Sequence, residues 1–253
     1  VSKTQPETSK IYIVGAGPGA KDLLTLRAYE LLKQCDCIIY DNLISDEILD
    51  IIPSNAVKHY AGKQKANHHM PQPDINQLLV DLALTGKYKT IIRLKGGDPF
   101  IFGRGGEECQ LLIQNNISFE VVPAVTASLG CGALANIPLT HRDYVSGVQF
   151  ITGHGCKEVS PNINWQTLAD DKLTLVVYMG LTNAAEISAN LIKHGMVGDM
   201  PVAVIQDGTT YKQKAYKGIL QDLKILITNN NIKSPAIIII GKVVNAIDNL
   251  IDN

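Results

Sequence analysis

The chain has 253 residues, 45% hydrophobic and 19% charged, with 23 Lys and Arg against 24 Asp and Glu for a formal charge of −1. That much apolar material excludes the disordered, collagenous and coiled-coil classes, and the length suits one or two domains of ~150 residues. The cations are scattered, which argues against a protein that grips nucleic acid by its phosphates, and no apolar run reaches the ~18–20 residues of a membrane span.

Residues Val1 to Lys10 are polar, lack the apolar core of a secretory signal and read as a loose tail. Thereafter short apolar runs lead into glycine-rich or acidic turns: Ile11–Val14 into Gly15-Ala-Gly-Pro-Gly19, Cys37–Tyr40 into Asp41-Asn42, Thr90–Leu94 into Lys95-Gly-Gly-Asp-Pro99, and Phe119–Val122 into Pro123. Between them lie helical periods. Leu24, Ala28, Leu31, Leu32 and Cys35 share one face, as do Ile75, Leu78, Leu79 and Leu82, with Asp74 in the N-cap position and Gln77 three residues on. Strand alternating with helix predicts an α/β fold with mostly parallel sheets.

A second series follows: strands over Val148–Thr152, Thr174–Met179, Pro201–Ile205 and Ala236–Ile240, and a helix from Asn183 to His194 stopped by Gly195. The stretch His154 to Asp171 reads as a long loop. The predicted organisation is a tail over 1–10, an N-terminal α/β domain over 11–143 and a C-terminal α/β domain over 144–253, with an active-site cleft expected between the lobes. The five cysteines (Cys35, Cys37, Cys109, Cys131, Cys156) are odd in number, spread out and form no Cys-x-x-Cys. They point to a reducing, cytoplasmic setting without a disulfide framework. Cys35 and Cys37 read as small core residues.

Two glycine loops carry the chemistry. Gly15-x-Gly17-x-x-Ala20 formally matches the dinucleotide fingerprint, with Asp41 about where a ribose-binding acid belongs, so an NAD-binding oxidoreductase is one reading. Against it, Pro18 removes one N–H and the helical period starts only near Leu24, too late to meet a pyrophosphate. The second cluster, Lys95 to Glu108, mixes glycines with charge. Glycine lets backbone approach a ligand closely, Asp98 can accept hydrogen bonds, and the Arg104 fork suits a carboxylate. His68-His69 lacks an evident third ligand and reads as surface loop. His141 and Gly153-His154-Gly155 are further candidates for lining a site.

Taken in order, several motifs resemble the tetrapyrrole methylase family: Gly15–Gly19 with Leu23-Leu-Thr-Leu26; Tyr40-Asp41-Asn-Leu-Ile-Ser45; Ala61-Gly62-Lys63; Arg93 through Glu108; Val122-Pro-Ala-Val-Thr-Ala-Ser128; Ile137-Pro-Leu-Thr-His-Arg-Asp143; Tyr178-Met-Gly180; and Ser234-Pro-Ala236. The departures, Ala20-Lys21-Asp22 and Pro123-Ala124, lie outside the strongest motifs. The resemblance covers about residues 10–245 and implies a homodimer that binds S-adenosylmethionine and releases S-adenosylhomocysteine, with no metal. The implied reaction moves two methyl groups to pyrrole carbons of uroporphyrinogen III, giving precorrin-2 for sirohaem or corrinoid synthesis. A later precorrin methylase of the same family is the alternative. At this length the chain is expected to be the stand-alone methyltransferase, without the dehydrogenase/chelatase module fused to some relatives.

By motif position, the resemblance places cofactor contacts at Pro18, Gly96, Gly97, Asp98, Ile101, Thr126, Ala127, Met179 and Gly208. Asp41 and Lys63 match the family's proton acceptor and donor, with Arg104 the rival for proton abstraction. Arg104, Glu107, Arg142 and Met179 are the expected substrate contacts, since a polycarboxylate needs local cations. No partner among nucleic acids or membranes is expected.

Overall fold

A computed structural model describes residues 9–62, 70–153 and 163–248. The chain divides into two units after Thr126, whereas the sequence pattern suggested a boundary at 143/144.

The first unit runs β1 (Lys10–Gly15), a 3-10 turn over Lys21–Leu23, α1 (Leu26–Leu32), β2 (Cys37–Tyr40), α2 (Asp46–Leu49), β3 (Val57–Tyr60), α3 (Gln72–Leu84), β4 (Thr90–Lys95), α4 (Gly105–Gln114) and β5 (Phe119–Val122). The strands order as β3-β2-β4-β1-β5 and every pairing is parallel. All five carboxyl ends therefore open at one edge, where α/β proteins place their ligands. Alternation along the strands explains the two covered faces. Val14, Ile38, Ile92 and Leu94 pack on one side with Ala28, Leu32 and Ile48 of α1 and α2. Ile11, Ile13, Ile39 and Ile91 pack on the other with Ile75, Leu79 and Leu112 of α3 and α4.

Local details differ from the sequence pattern. Lys10, assigned to the tail, is the first residue of β1 and its ammonium meets Glu120 at 2.9 Å; Ser9 beside it is buried. Helix α1 begins at Leu26, capped by Thr25, whose hydroxyl accepts from the Ala28 amide at 3.1 Å. Helix α3 begins at Gln72 after Pro71, two residues before the expected cap, so Asp74 sits inside its first turn and complements the helix dipole there.

The second unit runs α5 (Ala127–Leu134), β6 (Gly147–Thr152), α6 (Trp165–Leu168), β7 (Leu173–Tyr178), α7 (Ala184–Lys193), β8 (Pro201–Gln206), β9 (Lys214–Ile219), a 3-10 turn, α8 (Leu223–Asn229), β10 (Ala236–Ile240) and a closing 3-10 turn over Lys242–Asn245. The strand order is β6-β7-β10-β8-β9. Only β6 with β7 is parallel; β7–β10, β10–β8 and β8–β9 are antiparallel. The expectation of mostly parallel sheets thus fits the first unit and is corrected for the second. The physical reason lies in the connections: the short link from β8 to β9 can join only antiparallel neighbours, and β10 inserts against the direction of both β7 and β8. Helix α6 interrupts the expected loop from His154 to Asp171; residues 154–162 of that loop lie outside the described residues. Gly195 follows α7 at φ +112°, the left-handed position that ends a helix. Both Cys35 and Cys37 are buried, and burial pushes each thiol up to about 11.

Candidate active site

At the carboxyl edge of the first sheet, four loops are stitched together. The turns after the adjacent strands β1 and β4 pair backbone to backbone: Gly97 N–H donates to Gly17 O at 2.7 Å and Gly17 N–H to Gly97 O at 3.2 Å. Glycine is required by contact at Gly15, where an added Cβ would lie 2.7 Å from Gly97 O and 2.5 Å from the Ala124 Cβ. Conformation requires it at Gly17 and Gly97, at φ +75° and +67°. The turn after β2 joins them, since Ser45 Oγ donates to Gly19 O at 2.9 Å and a Cβ on Gly96 would sit 2.6 Å from the Leu43 Cβ. The turn after β5 is fixed by Asp98, which accepts from Phe100 N through Oδ1 at 2.9 Å and from Ala124 N through Oδ2 at 3.0 Å.

Pro18, Asp41, Gly96, Gly97, Asp98 and Ile101 are thereby brought to one edge, on the loops following β1, β2 and β4. Asp98 faces the protein's own amides, so its visible work is to shape the loop. Thr126 is buried at the end of this unit. Lys63 and the His68-His69 pair lie outside the described residues. Arg104, at φ +59° just before α4, forms a two-pronged pair with Glu107: Nε to Oε1 at 2.8 Å and Nη2 to Oε2 at 2.7 Å. Both side chains are half exposed. The pairing holds Glu107 below the usual carboxylate range and raises Arg104 above its own.

In the second unit, the carboxyl ends of β6, β7 and β8 form an edge of their own. Gly153 N–H donates to Tyr178 O at 2.7 Å, and a Cβ there would strike the Gly180 Cα at 2.5 Å. Ser128 N–H donates to the Tyr178 hydroxyl at 3.1 Å, bringing the start of α5 and Ala127 to this edge. Gly208 rests on Cys131 of α5, whose Sγ a Cβ would meet at 2.1 Å. Ala127, Met179 and Gly208 therefore gather at one end of the sheet. Arg142 is exposed on the turn leading into β6, and no hydrogen bond ties it to them. In that turn His141 accepts from the Asp143 amide through Nδ1 at 3.2 Å and stacks edge-on against Tyr144. Its ring holds the loop.

Backbone strain marks the same places. Among the described residues, eight that are not glycine have positive φ. Asn116, Asn136 and Asn231 close helices, where asparagine tolerates that conformation. The other five, Phe102, Arg104, Met179, Asp207 and Thr209, all fall in the loop 98–104, at Met179, or on either side of Gly208. Such strain persists where surrounding structure holds a functional geometry. Met179, half exposed at φ +54°, is the clearest case because nothing about a methionine favours that conformation.

One cluster escaped the sequence reading. Arg93 and Lys95, each 3% exposed, lie two apart on β4 and so share the face covered by α3 and α4. Glu108 of α4, fully buried, receives both through Oε1: Arg93 Nε at 3.0 Å and Lys95 Nζ at 2.9 Å. Gln72 Nε2 adds a third donor at 3.1 Å, while Glu108 Oε2 is buried without a partner. Burial, and next Arg93, push the Lys95 ammonium below its ordinary range, against the pull of Glu108. The signal was present as two charges at the strand period in an otherwise apolar run.

A parallel sheet whose glycine turns pair at the carboxyl edge, beside a carboxylate at the end of the neighbouring strand, places the first unit in the α/β class, whose ligands sit at that edge. The late start of α1 removes the helix terminus that a dinucleotide pyrophosphate would use. Residues 10–224 match the model of the Tetrapyrrole (Corrin/Porphyrin) Methylases, and the chain belongs to that family. It is 48% identical over 242 residues to a siroheme synthase of Pseudoalteromonas translucida, covering 96% of this chain and 50% of that one. The chain thus spans about half the length of the curated relatives it matches. Among solved structures, the Thermus thermophilus uroporphyrin-III C-methyl transferase complexed with S-adenyl homocysteine is similar at TM-score 0.79 and 33% identity, covering 94% of each chain. A cobalt precorrin-4 methyltransferase is similar at TM-score 0.82 and 27% identity, covering 93% of this chain and 95% of that one. No helix among the described residues is long and apolar enough to cross a membrane, and no three or more of their His, Cys, Asp and Glu side chains gather as a metal-binding group.

Proposed function

We propose that this methylase transfers methyl groups from S-adenosylmethionine to two pyrrole carbons of uroporphyrinogen III, yielding precorrin-2 for sirohaem synthesis. The observation that carries the reading is the paired glycine edge, Gly17 against Gly97, with Asp41 at the end of the next strand. The higher identity to siroheme synthase and to the Thermus enzyme than to the precorrin-4 enzyme supports the choice of substrate.

S-adenosylmethionine, when bound, supplies an electrophilic methyl on a sulfonium. The residues present suit such a ligand: the edge at Gly15 and Gly96 has no room for side chains, Gly97 holds a left-handed φ of +67°, and Ile101 and Met179 offer apolar side chains. The chain's own task is alignment and proton handling, because a reduced pyrrole carbon is already electron-rich. Pro18, Gly96, Gly97, Thr126, Ala127 and Gly208 hold the cofactor by close backbone approach, and Asp98 keeps the loop in shape for it. Asp41 accepts the proton that the methylated ring loses, with Lys63 as donor. Arg104 stays protonated at neutral pH and serves as a cation for the substrate carboxylates, together with Arg142; Glu107 presets the Arg104 fork. The working form in this reading is a cytoplasmic homodimer.

Purified protein given S-adenosylmethionine and uroporphyrinogen III should yield a dimethylated product and S-adenosylhomocysteine, followed by mass spectrometry. Transfer only to an already methylated precorrin would move the assignment to a later step. Light scattering decides the dimer separately.

A further inference from the structure

Arg93 does more than neutralise Glu108. Its guanidinium meets four acceptors: Nε donates to Glu108 at 3.0 Å, Nη1 to Leu94 O at 2.8 Å and Ile39 O at 3.5 Å, and Nη2 to Asp41 Oδ2 at 3.5 Å. Asp41 is gripped on its other oxygen too, where Oδ1 accepts from the Leu43 amide at 3.0 Å. Charges close only when Asp41 is counted: Arg93 and Lys95 oppose Glu108 and Asp41. Of the four side chains, Asp41 alone reaches solvent, at 22% exposure against 4%, 4% and 0%.

Stability does not account for this arrangement. A buried ion-pair group is often no better than well-packed apolar residues of the same volume, because desolvation offsets the attraction. β4 is a central strand with apolar neighbours on both sides, where valine and leucine would serve the fold. What apolar residues could not do is fix the orientation of a carboxylate at the strand end.

We propose that Arg93 is the positioning residue for Asp41, with Glu108 and Lys95 locking the guanidinium so that one edge of it always faces the Asp41 carboxylate. The proposal rests on the reading of Asp41 as proton acceptor. Arginine is needed because its planar fork meets four acceptors in fixed directions, which an ammonium cannot.

A double-mutant cycle tests it, with kcat of methyl transfer, KM for uroporphyrinogen III and S-adenosylhomocysteine affinity by calorimetry. Arg93→Gln should lower kcat about 30-fold or more, with KM and product affinity changed by less than about threefold, the pattern of a group that acts on the chemical step. Arg93→Lys should recover part of that loss. In the Asp41→Asn background, Arg93→Gln should slow the enzyme by no more than about twofold, since the residue it positions is already gone. Losses that multiply in the double variant, or an Arg93→Gln protein with wild-type kcat, would overturn the proposal. Should Arg93→Gln fail to fold, Arg93→Lys runs through the same cycle: a loss that vanishes beside Asp41→Asn supports positioning, and a multiplying loss or none at all sinks it. Wild-type kcat in Asp41→Asn alone would remove the proton-acceptor reading itself and this inference with it. A slow Asp41→Asn enzyme with multiplying losses removes only the inference.

Discussion

The two sheets of this protein have the same number of strands and opposite interiors. In the first unit the central strand β4 buries Arg93 and Lys95 and draws Glu108 in from α4. In the second, the central strand β10 is Ala-Ile-Ile-Ile-Ile, and among the described residues of that unit the buried polar ones are the neutral Ser128, Thr174, Ser188 and Thr209. One interior accepts the cost of desolvating charge, and the other avoids it. The charged interior belongs to the all-parallel sheet, whose strand ends converge on one edge where the buried Arg93 guanidinium reaches the Asp41 carboxylate. The mixed sheet positions its loops by close packing instead, glycine on cysteine and glycine on glycine.

The sharpest way to break this contrast is at Glu108. Glu108→Ala leaves two cations buried without their anion and should cost about 3–5 kcal/mol, read by denaturant unfolding. A loss under ~1 kcal/mol would mean the interior of the first unit is wetter than the contrast requires. Next in size is Gly208→Ala. Its Cβ meets Cys131 Sγ, an overpacking that costs about 1–3 kcal/mol, and Cys131→Ala in the same chain should restore most of it. No rescue would place the strain in the backbone of the loop rather than in the packing.

Asp98→Ala frees the Phe100 and Ala124 amides and should weaken S-adenosylhomocysteine binding about tenfold, ~1.4 kcal/mol, by calorimetry. Unchanged affinity would show the loop holds its shape without the clamp. The smallest effect belongs to the exposed Arg104–Glu107 pair, where Glu107→Gln should change stability by no more than about 0.5 kcal/mol. The sign is defined. Glu107 is held below its usual range by Arg104, so the pair's contribution is present above the ordinary carboxylate range and is lost as pH falls through the lowered value. The variant should therefore differ from wild type at neutral pH and converge with it in acid.

Much of the molecule was legible because its strands are apolar and its turns are glycine. The eight expected strands are all present, and the loops after β1, β2 and β4 stand at one edge as parallel topology requires. The two unread strands share a cause. β3 (Val-Lys-His-Tyr) and β9 (Lys-Ala-Tyr-Lys-Gly-Ile) are edge strands with polar, exposed residues, so they lack the apolar run that marks a buried strand. Helix α4 opens on Gly-Gly-Glu-Glu and α5 is built of small residues, so neither shows an amphipathic period at its start. The direction of β10 is invisible in its sequence, because five apolar residues read the same either way. At the site, glycine motifs were readable from chemistry and order alone. The Arg93–Glu108–Lys95 cluster was not, because its meaning depends on α4 packing across β4.

The Gly17–Gly97 hydrogen bonds have a consequence for anyone who would alter this enzyme. Two segments far apart in the chain behave there as one piece of backbone, so neither can change length or twist by itself. A loop transplanted from a relative with a different ligand must bring its counterpart with it, or the edge of the sheet comes unlaced.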